Sequence, residues 1–327
     1  MTLLSGAYGR VTQWRREWYA RHPERRRHLG HRVISVGNLI SGGSGKTPTV
    51  IAIARLLLAR GERPVILTRG YGRREPSDGV LVVSDDAGVR EPVTRSGDEP
   101  QLIAKALPGV PVLVAPNRYV AGAFAERTFH PTVSILDDGF QHVQLERDVD
   151  LLIVSSADLA ERVLPSGLLR EPLEAARFAD ALLVSGSDEE VPNVARALGH
   201  DTAFRITTKY EELLCGTSLK GLSHEVRRVI AFAGIARPRR FFDALRACGY
   251  DVATELTFRD HHWFTANDLA RIQQTAREQQ ASLIVTTGKD AARLPQTTWD
   301  VPLATLPMTV EIEPADMFES WLVARLK

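Results

Sequence analysis

The stretch Ser41-Gly42-Gly43-Ser44-Gly45-Lys46-Thr47 constrains this chain more than any other. It stands between an apolar run that reads as a strand over His31–Leu39 and a run with helical periodicity over Pro48–Arg60. Glycine turns in that setting let backbone N–H groups face phosphate oxygens, with the positive end of the helix dipole behind them. Lys46 is then expected to reach the β- and γ-phosphates, and the Thr47 hydroxyl to ligate Mg²⁺. Pro48 at the helix start loses no needed hydrogen bond. Ser41 to Thr47 is therefore the expected cradle for ATP and Mg²⁺. Ile40 stands where the first glycine of such loops is usual, which makes this a Gly-Gly-x-Gly-Lys-Thr variant. The competing reading is a glycine-rich turn without a ligand.

Downstream, short apolar runs alternate with helical ones. Strands are expected at Arg63–Thr68, Gly79–Ser84, Pro111–Ala115, Val133–Leu136, Asp150–Val154 and Ala181–Ser185, with helices at Glu99–Ala106 and Arg118–Thr128. Runs this apolar suit strands buried on both faces, and the alternation implies a mainly parallel sheet with helices on both sides. The expected class is thus α/β, P-loop NTPase-like. Around Ala203–Leu214 the pattern becomes that of an exposed two-stranded connector. A smaller α/β block follows: strand Arg228–Ala233, helix Arg239–Gly249, a loop to Phe264, helix Ala266–Gln280 and strand Ser282–Thr287. A last helix, Ala315–Leu326, is placed to pack back on the first domain. The resulting division is an arm (1–28), a P-loop domain (29–202), a smaller domain with its linker (203–313) and the closing helix (314–327).

The formal net charge is only +1, so no nucleic-acid partner is expected; no obligate protein partner is evident either. Residues 1–30, however, hold seven arginines against Glu17 and Glu24, a local excess of five positive charges. In the same segment Leu3, Leu4, Ala7, Tyr8, Val11, Trp14, Trp18 and Tyr19 recur at helical spacing and make one aromatic-rich stripe. Two readings fit: a helix lying on a membrane surface, or a first helix packed on the body with a solvated basic face. Cys215 and Cys248 form no C-x-x-C pair, which fits a reducing compartment. With no secretory h-region and no spanning apolar run, a cytoplasmic location is expected.

Val133-Ser-Ile-Leu ends in Asp137 and Asp138, at the carboxyl end of a buried strand where open α/β sheets bind ligands. A metal-directed acid is expected there; an Asp-Gly turn is the alternative. Gln141 and His142 follow on the same rim. Asp98 admits two roles, cap of the next helix or general base for an attacking hydroxyl. Asp260-His261-His262 is open to three readings: a metal site, a structural loop, or a catalytic histidine brought across a cleft. Arg69, Arg118 and Arg170 stand beside turn residues at strand ends and suit phosphate geometry.

Taken in order, Val-Gly-Asn-Leu-x-x-Gly-Gly-x-Gly-Lys-Thr-Pro, Arg-Gly-Tyr-Gly, Gly-Asp-Glu-Pro, Asp-Asp-Gly-Phe-Gln-His, Leu-Arg-Glu-Pro and Phe-x-Asp-His-His resemble the tetraacyldisaccharide 4′-kinases, from Val33 to Asp290. The resemblance implies a membrane-associated enzyme at the cytoplasmic face of the inner membrane. It would transfer the γ-phosphate of ATP to the 4′-hydroxyl of an acylated glucosamine disaccharide 1-phosphate. It further implies two α/β domains joined by a β-ribbon, with the site in the cleft. By the same resemblance Lys46 and Thr47 serve nucleotide and Mg²⁺, Asp98 is the base and His261 its partner. Glu99, Asp137 and Asp138 are metal or site-organising acids, and Arg118, Gln141, His142 and Arg170 contact phosphate or substrate. The chain departs from the family pattern at Gly288 (Glu expected), Arg259 (Pro), Ser166 (Ala) and Leu168 (Pro). Two competing functions are a P-loop ligase or amidotransferase-type enzyme on a soluble substrate, and a nucleotide switch. Dimerising P-loop ATPases, as the switch would be, often carry lysine where this chain has Ser41.

Overall fold

The computed structural model describes residues 3–43, 45–215 and 228–327, so Ser44 of the glycine loop lies outside the described residues. The chain opens with α1 (Leu3–Arg21), β1 (Arg32–Asn38), α2 (Lys46–Ala59) and β2 (Pro64–Thr68). A short antiparallel pair, β3 (Leu81–Asp85) and β4 (Gly88–Val89), leads into α3 (Val93–Ser96), α4 (Asp98–Ala106) and β5 (Val112–Val114). Then come α5 (Arg118–Phe129), β6 (Val133–Asp137), β7 (Val149–Val154), β8 (Ala181–Ser185), α6 (Glu190–Ala197) and β9 (Ala203–Tyr210).

The larger sheet runs β15-β9-β8-β7-β1-β6-β2-β5-β3-β4, where β15 is Met308–Glu313. Its centre is parallel, and antiparallel pairing is confined to the two edges. Every residue of β6 and β7 is buried. Alternation along β1 serves two cores: Ile34 and Val36 face α2 and α4, while Val33 faces α5. The closing helix α10 (Ala315–Arg325) buries Phe318 and Leu322 in the same core as Ile34 and Leu57.

The smaller sheet, ordered β10-β14-β13-β11-β12, contains β10 (Leu214–Cys215), β11 (Arg228–Ala233), β12 (Asp251–Thr257), β13 (Leu283–Thr286) and β14 (Leu303–Thr305). Its helices are α7 (Pro238–Ala247), α8 (Ala266–Glu278) and the short α9 (Gly288–Ala292). The connector is a two-stranded ribbon of β9 and β15, but residues 203–206 also pair with β8. The ribbon therefore begins as an edge of the larger sheet. β12 occupies a stretch that the sequence reads as loop: it is an edge strand with only Leu256 buried, so it carries little apolar signal.

Helix α1 packs on the body of the protein through a narrow face. Its inner face is made of Ser5, Gly9 and Arg16, the buried residues of the helix. Ser5 Oγ meets Ser166 Oγ at 2.7 Å, so the departure at Ser166 contributes a contact. Arg16 donates to Glu171 at 2.5 and 2.8 Å and to the Phe140 carbonyl at 2.8 Å. Because that small, polar face packs inward, the apolar stripe faces out from Leu3 to Trp14, with exposure from 39% at Tyr8 to 93% at Leu3, whereas Trp18 and Tyr19 are half-buried. Among the described residues no helix is long and apolar enough to cross a membrane.

Candidate active site

Three loops at the carboxyl ends of β1, β6 and β2 and the start of α4 build one wall. The glycine loop enters α2 through Gly45, whose φ of 82° is a left-handed conformation that glycine adopts without strain. Gly42 (φ 107°) faces the smaller domain: a methyl added there would lie 3.6 Å from Ala236 Cβ. Lys46 Nζ donates to Asn38 Oδ1 at 3.2 Å and stands 3.5 Å from Asp138 Oδ1. Thr47 is buried in the first turn of α2. Ser41 is exposed and donates its backbone N–H to the Leu168 carbonyl at 2.8 Å.

The carboxylates after β6 occupy different environments. Asp138 (φ 55°) is clamped by Arg170, whose two terminal nitrogens reach its two oxygens at 2.9 and 3.0 Å. Burial alone would raise the Asp138 carboxyl, but Lys46 and Arg170 hold it below the usual range. Asp137 is 1% exposed; Oδ2 accepts a long bond from Thr68 Oγ1 at 3.4 Å, and Oδ1 has no hydrogen-bond partner. Burial, then the charges of Glu99 and Asp138, push its carboxyl up to about 7. An orphaned buried oxygen among three mutually repelling acids is a setting that a divalent cation relieves.

The other wall comes from the smaller domain. His261 Nδ1 lies 3.1 Å from Asp98 Oδ2. Asp98 is the first residue of α4, with Gly97 in the cap position, so the helix-cap reading does not hold. It is 2% exposed, and its Oδ1 accepts the Glu99 N–H at 2.9 Å. Burial alone would raise its carboxyl; the hydrogen bond from His261, with Lys289 and Arg293, brings it below the usual range. The same bond raises the His261 imidazole above its ordinary value. His261 also holds a left-handed backbone (φ 56°), a conformation that clusters at functional sites when its surroundings enforce it. Its neighbour His262 turns away to Asp268 at 3.0 Å and stacks on Phe258. His261 and His262 therefore pair with different carboxylates, Asp98 and Asp268.

Glu99 is engaged across the cleft by Lys289 Nζ, so it meets the cleft as half of an ion pair. Arg118, 5% exposed, donates to the Pro116 carbonyl at 3.0 Å and leaves its Nε unpartnered. Gln141 donates to the Asn38 carbonyl at 2.9 Å. His142 is kept neutral: burial, then Arg118, Arg147, Arg15 and Arg69, lower it to about 4. The structure thus brings Lys46, Thr47, Asp98, Glu99, Asp137, Asp138, Arg170 and His261 to one cleft, with Arg118, Gln141 and His142 along its rim.

The profile of the LpxK family, described as tetraacyldisaccharide-1-P 4′-kinase, matches residues 1–327. The chain belongs to the tetraacyldisaccharide 4′-kinase family. A relative of that name from Geobacter metallireducens is 39% identical over 297 residues, 90% of this chain and 88% of its own. One from Syntrophus aciditrophicus is 36% identical over 335 residues, 96% of this chain and 89% of its own. Among solved structures, LpxK from Aquifex aeolicus in complex with ATP superposes with a TM-score of 0.78. It is 32% identical and covers 99% of this chain and 98% of its own. Membership makes this chain an ATP-dependent phosphotransferase acting on a hydroxyl, in place of the ligase and switch alternatives.

Several residues of this kinase cleft escaped sequence reasoning. Asn38 links Lys46 to Arg170 through one carbonyl oxygen, at 3.2 and 2.7 Å. Lys289 and Arg293 follow β13, and charged residues just past the carboxyl end of a parallel strand were the available signal. The departure at Gly288 has a packing consequence: a methyl there would lie 2.8 Å from Leu102 Cδ1, so glycine lets α9 sit close on α4. Leu168 donates its backbone N–H to Glu161 Oε2 at 3.3 Å, a bond that proline would lack, and nothing in the structure explains Arg259.

Proposed function

We propose that this chain phosphorylates the 4′-hydroxyl of tetraacyldisaccharide 1-phosphate, using ATP and Mg²⁺, at the cytoplasmic face of the inner membrane. One observation carries the reading: Asp98 from the larger domain and His261 from the smaller meet at 3.1 Å beside the phosphate loop and the acids that follow β6. The backbone amides of Gly42, Gly43 and Gly45 to Thr47 and the Lys46 ammonium would bind the β- and γ-phosphates, while Ser41 anchors the loop through its bond to Leu168. Thr47, Asp137 and Asp138 would hold Mg²⁺, with Glu99 organised beside them by Lys289. Bound there, the ion neutralises charge on the phosphate oxygens.

Asp98 takes the proton from the acceptor hydroxyl as that oxygen bonds to the γ-phosphorus. The bond to the β–γ bridging oxygen breaks and ADP leaves. His261 holds Oδ2 of Asp98, so the proton would go to Oδ1, which the Glu99 N–H orients. Arg118, Gln141, His142 and Arg170 line the rim and would orient phosphate or sugar. Because neutral His142 can accept or donate a hydrogen bond, it suits a hydroxyl or phosphate oxygen. The test is positional: ³¹P NMR of the product is expected to place the new phosphate on the 4′ oxygen. Phosphate at any other position, or ATP consumed without a lipid product, overturns the reading.

The membrane assignment rests on the outward stripe of α1 and its arginines. Burying Val11 and Trp14 among lipid acyl chains is worth about 1.5–3 kcal/mol each when complete. Val11→Glu with Trp14→Glu is therefore expected to cut sedimentation with anionic liposomes by about tenfold or more. Both side chains are exposed, at 63% and 66%, so the fold should be unaffected. Unchanged liposome binding by the folded variant would remove the assignment.

A further inference from the structure

A guanidinium lies behind the Asp98–His261 pair, and nothing above gives it a role. Arg293, just after α9, is 4% exposed. Its Nη2 donates to Asp290 Oδ1 at 2.7 Å and to the Gly234 carbonyl at 3.0 Å. Its Nε stands 3.6 Å from Asp98 Oδ2, the same oxygen that faces His261. The Gly234 carbonyl also accepts the His261 N–H, at 3.0 Å. One buried side chain therefore touches both partners of the pair: Asp98 by charge, and the His261 backbone through a shared carbonyl.

Asp290 does not account for this geometry by itself. It is saturated from within the smaller domain, by the Gly234 N–H on both oxygens at 3.1 Å and by Thr287 Oγ1 at 2.7 Å. Arg293 also leaves Nε and Nη1 buried without a hydrogen-bond partner, with Nε at ion-pair distance, 3.6 Å, from Asp98 Oδ2. The turn it holds is tight: a methyl on Gly234 would lie 3.0 Å from the Arg259 carbonyl and 3.1 Å from Asp290 Oδ1. His261 leaves that turn with φ 56°, so its ring direction depends on the bond to Gly234.

We propose that Arg293 is a positioning residue for phosphoryl transfer, fixing Asp98 and His261 relative to one another across the cleft. It acts through them and touches no substrate. The inference rests on Asp98 being the base, and the test separates the two claims. Arg293→Lys keeps the charge but cannot span Asp290, Gly234 and Asp98 at once. Arg293→Gln keeps a donor without the charge.

Each variant is expected to lower kcat by about 10–100-fold, the range for residues that orient catalytic groups. KM for ATP should stay within about twofold, because binding does not use the pair. In an Asp98→Asn background the same changes should cost almost nothing, since the group being positioned is gone. Equal losses in both backgrounds would make Arg293 merely structural and overturn the inference, as would an unchanged kcat in the wild-type background. If one variant does not fold by circular dichroism, the other carries the same comparison. If both unfold, Arg293 is structural and the inference fails. Full activity of Asp98→Asn alone would instead overturn the assignment of the base.

Discussion

Asp98→Asn is expected to lower kcat by about 10²–10⁴-fold, the usual contribution of a positioned general base. ATP binding should survive, because the phosphate loop and Lys46 lie on other elements. Asparagine keeps the size of the side chain and its acceptor for the Glu99 N–H, so α4 should still start at the same place. His261→Ala provides the companion result, and its sign follows from the causes of the shift. Burial raises the Asp98 carboxyl, and the His261 hydrogen bond is the largest influence lowering it. Without that bond the carboxyl titrates at higher pH. Since the base works only when ionised, the acid limb of the kcat/KM profile should move to higher pH in His261→Ala. Part of the loss should therefore be recovered on raising the pH. A profile displaced downward with an unmoved acid limb would contradict the pairing seen at 3.1 Å.

Lys46→Ala should cost about 10²–10³-fold in kcat/KM, the effect of removing one preorganised group that stabilises developing charge. Asn38 and Asp138 hold the ammonium in the cleft before nucleotide arrives. Removing it also leaves Asp138 with Arg170 as its main partner, so Asp138 should remain ordered. Lys46→Arg is not a conservative control: the guanidinium is planar and broader, while the Asn38 and Asp138 contacts suit a compact ammonium. Both variants are expected to be weak by steady-state kinetics with ATP varied. A Lys46→Ala enzyme within about threefold of wild type would mean that the loop does not work by charge stabilisation.

Much of this fold is legible because it follows from local chemistry. The glycine loop, the buried runs of β6 and β7 and the acids ending β6 announce a parallel sheet and the edge where ligands bind. Tertiary context decided the rest. No spacing rule distinguishes Asp98 as cap from Asp98 as base; the cap falls to Gly97, and the contact that supports the base comes from His261, 163 positions away. The stripe on α1 identifies an amphipathic helix, but which face packs inward depends on Ser5, Gly9 and Arg16 meeting Ser166, Pro172 and Glu171. β12 escaped notice because an edge strand exposes the alternation that would reveal it. Arg293 belongs to no motif in the sequence; it is buried against Gly234 and Asp98, both distant in the chain.

On the proposed reading, one cleft carries phosphate from ATP to a sugar hydroxyl through Asp98. The measurement that reaches it most directly is transfer of label from γ-radiolabelled ATP to tetraacyldisaccharide 1-phosphate in detergent micelles, by wild type and Asp98→Asn side by side. Labelled lipid from wild type, reduced by about 10²-fold or more in the variant, is the predicted result. Labelled lipid made equally well by both proteins would contradict the claim.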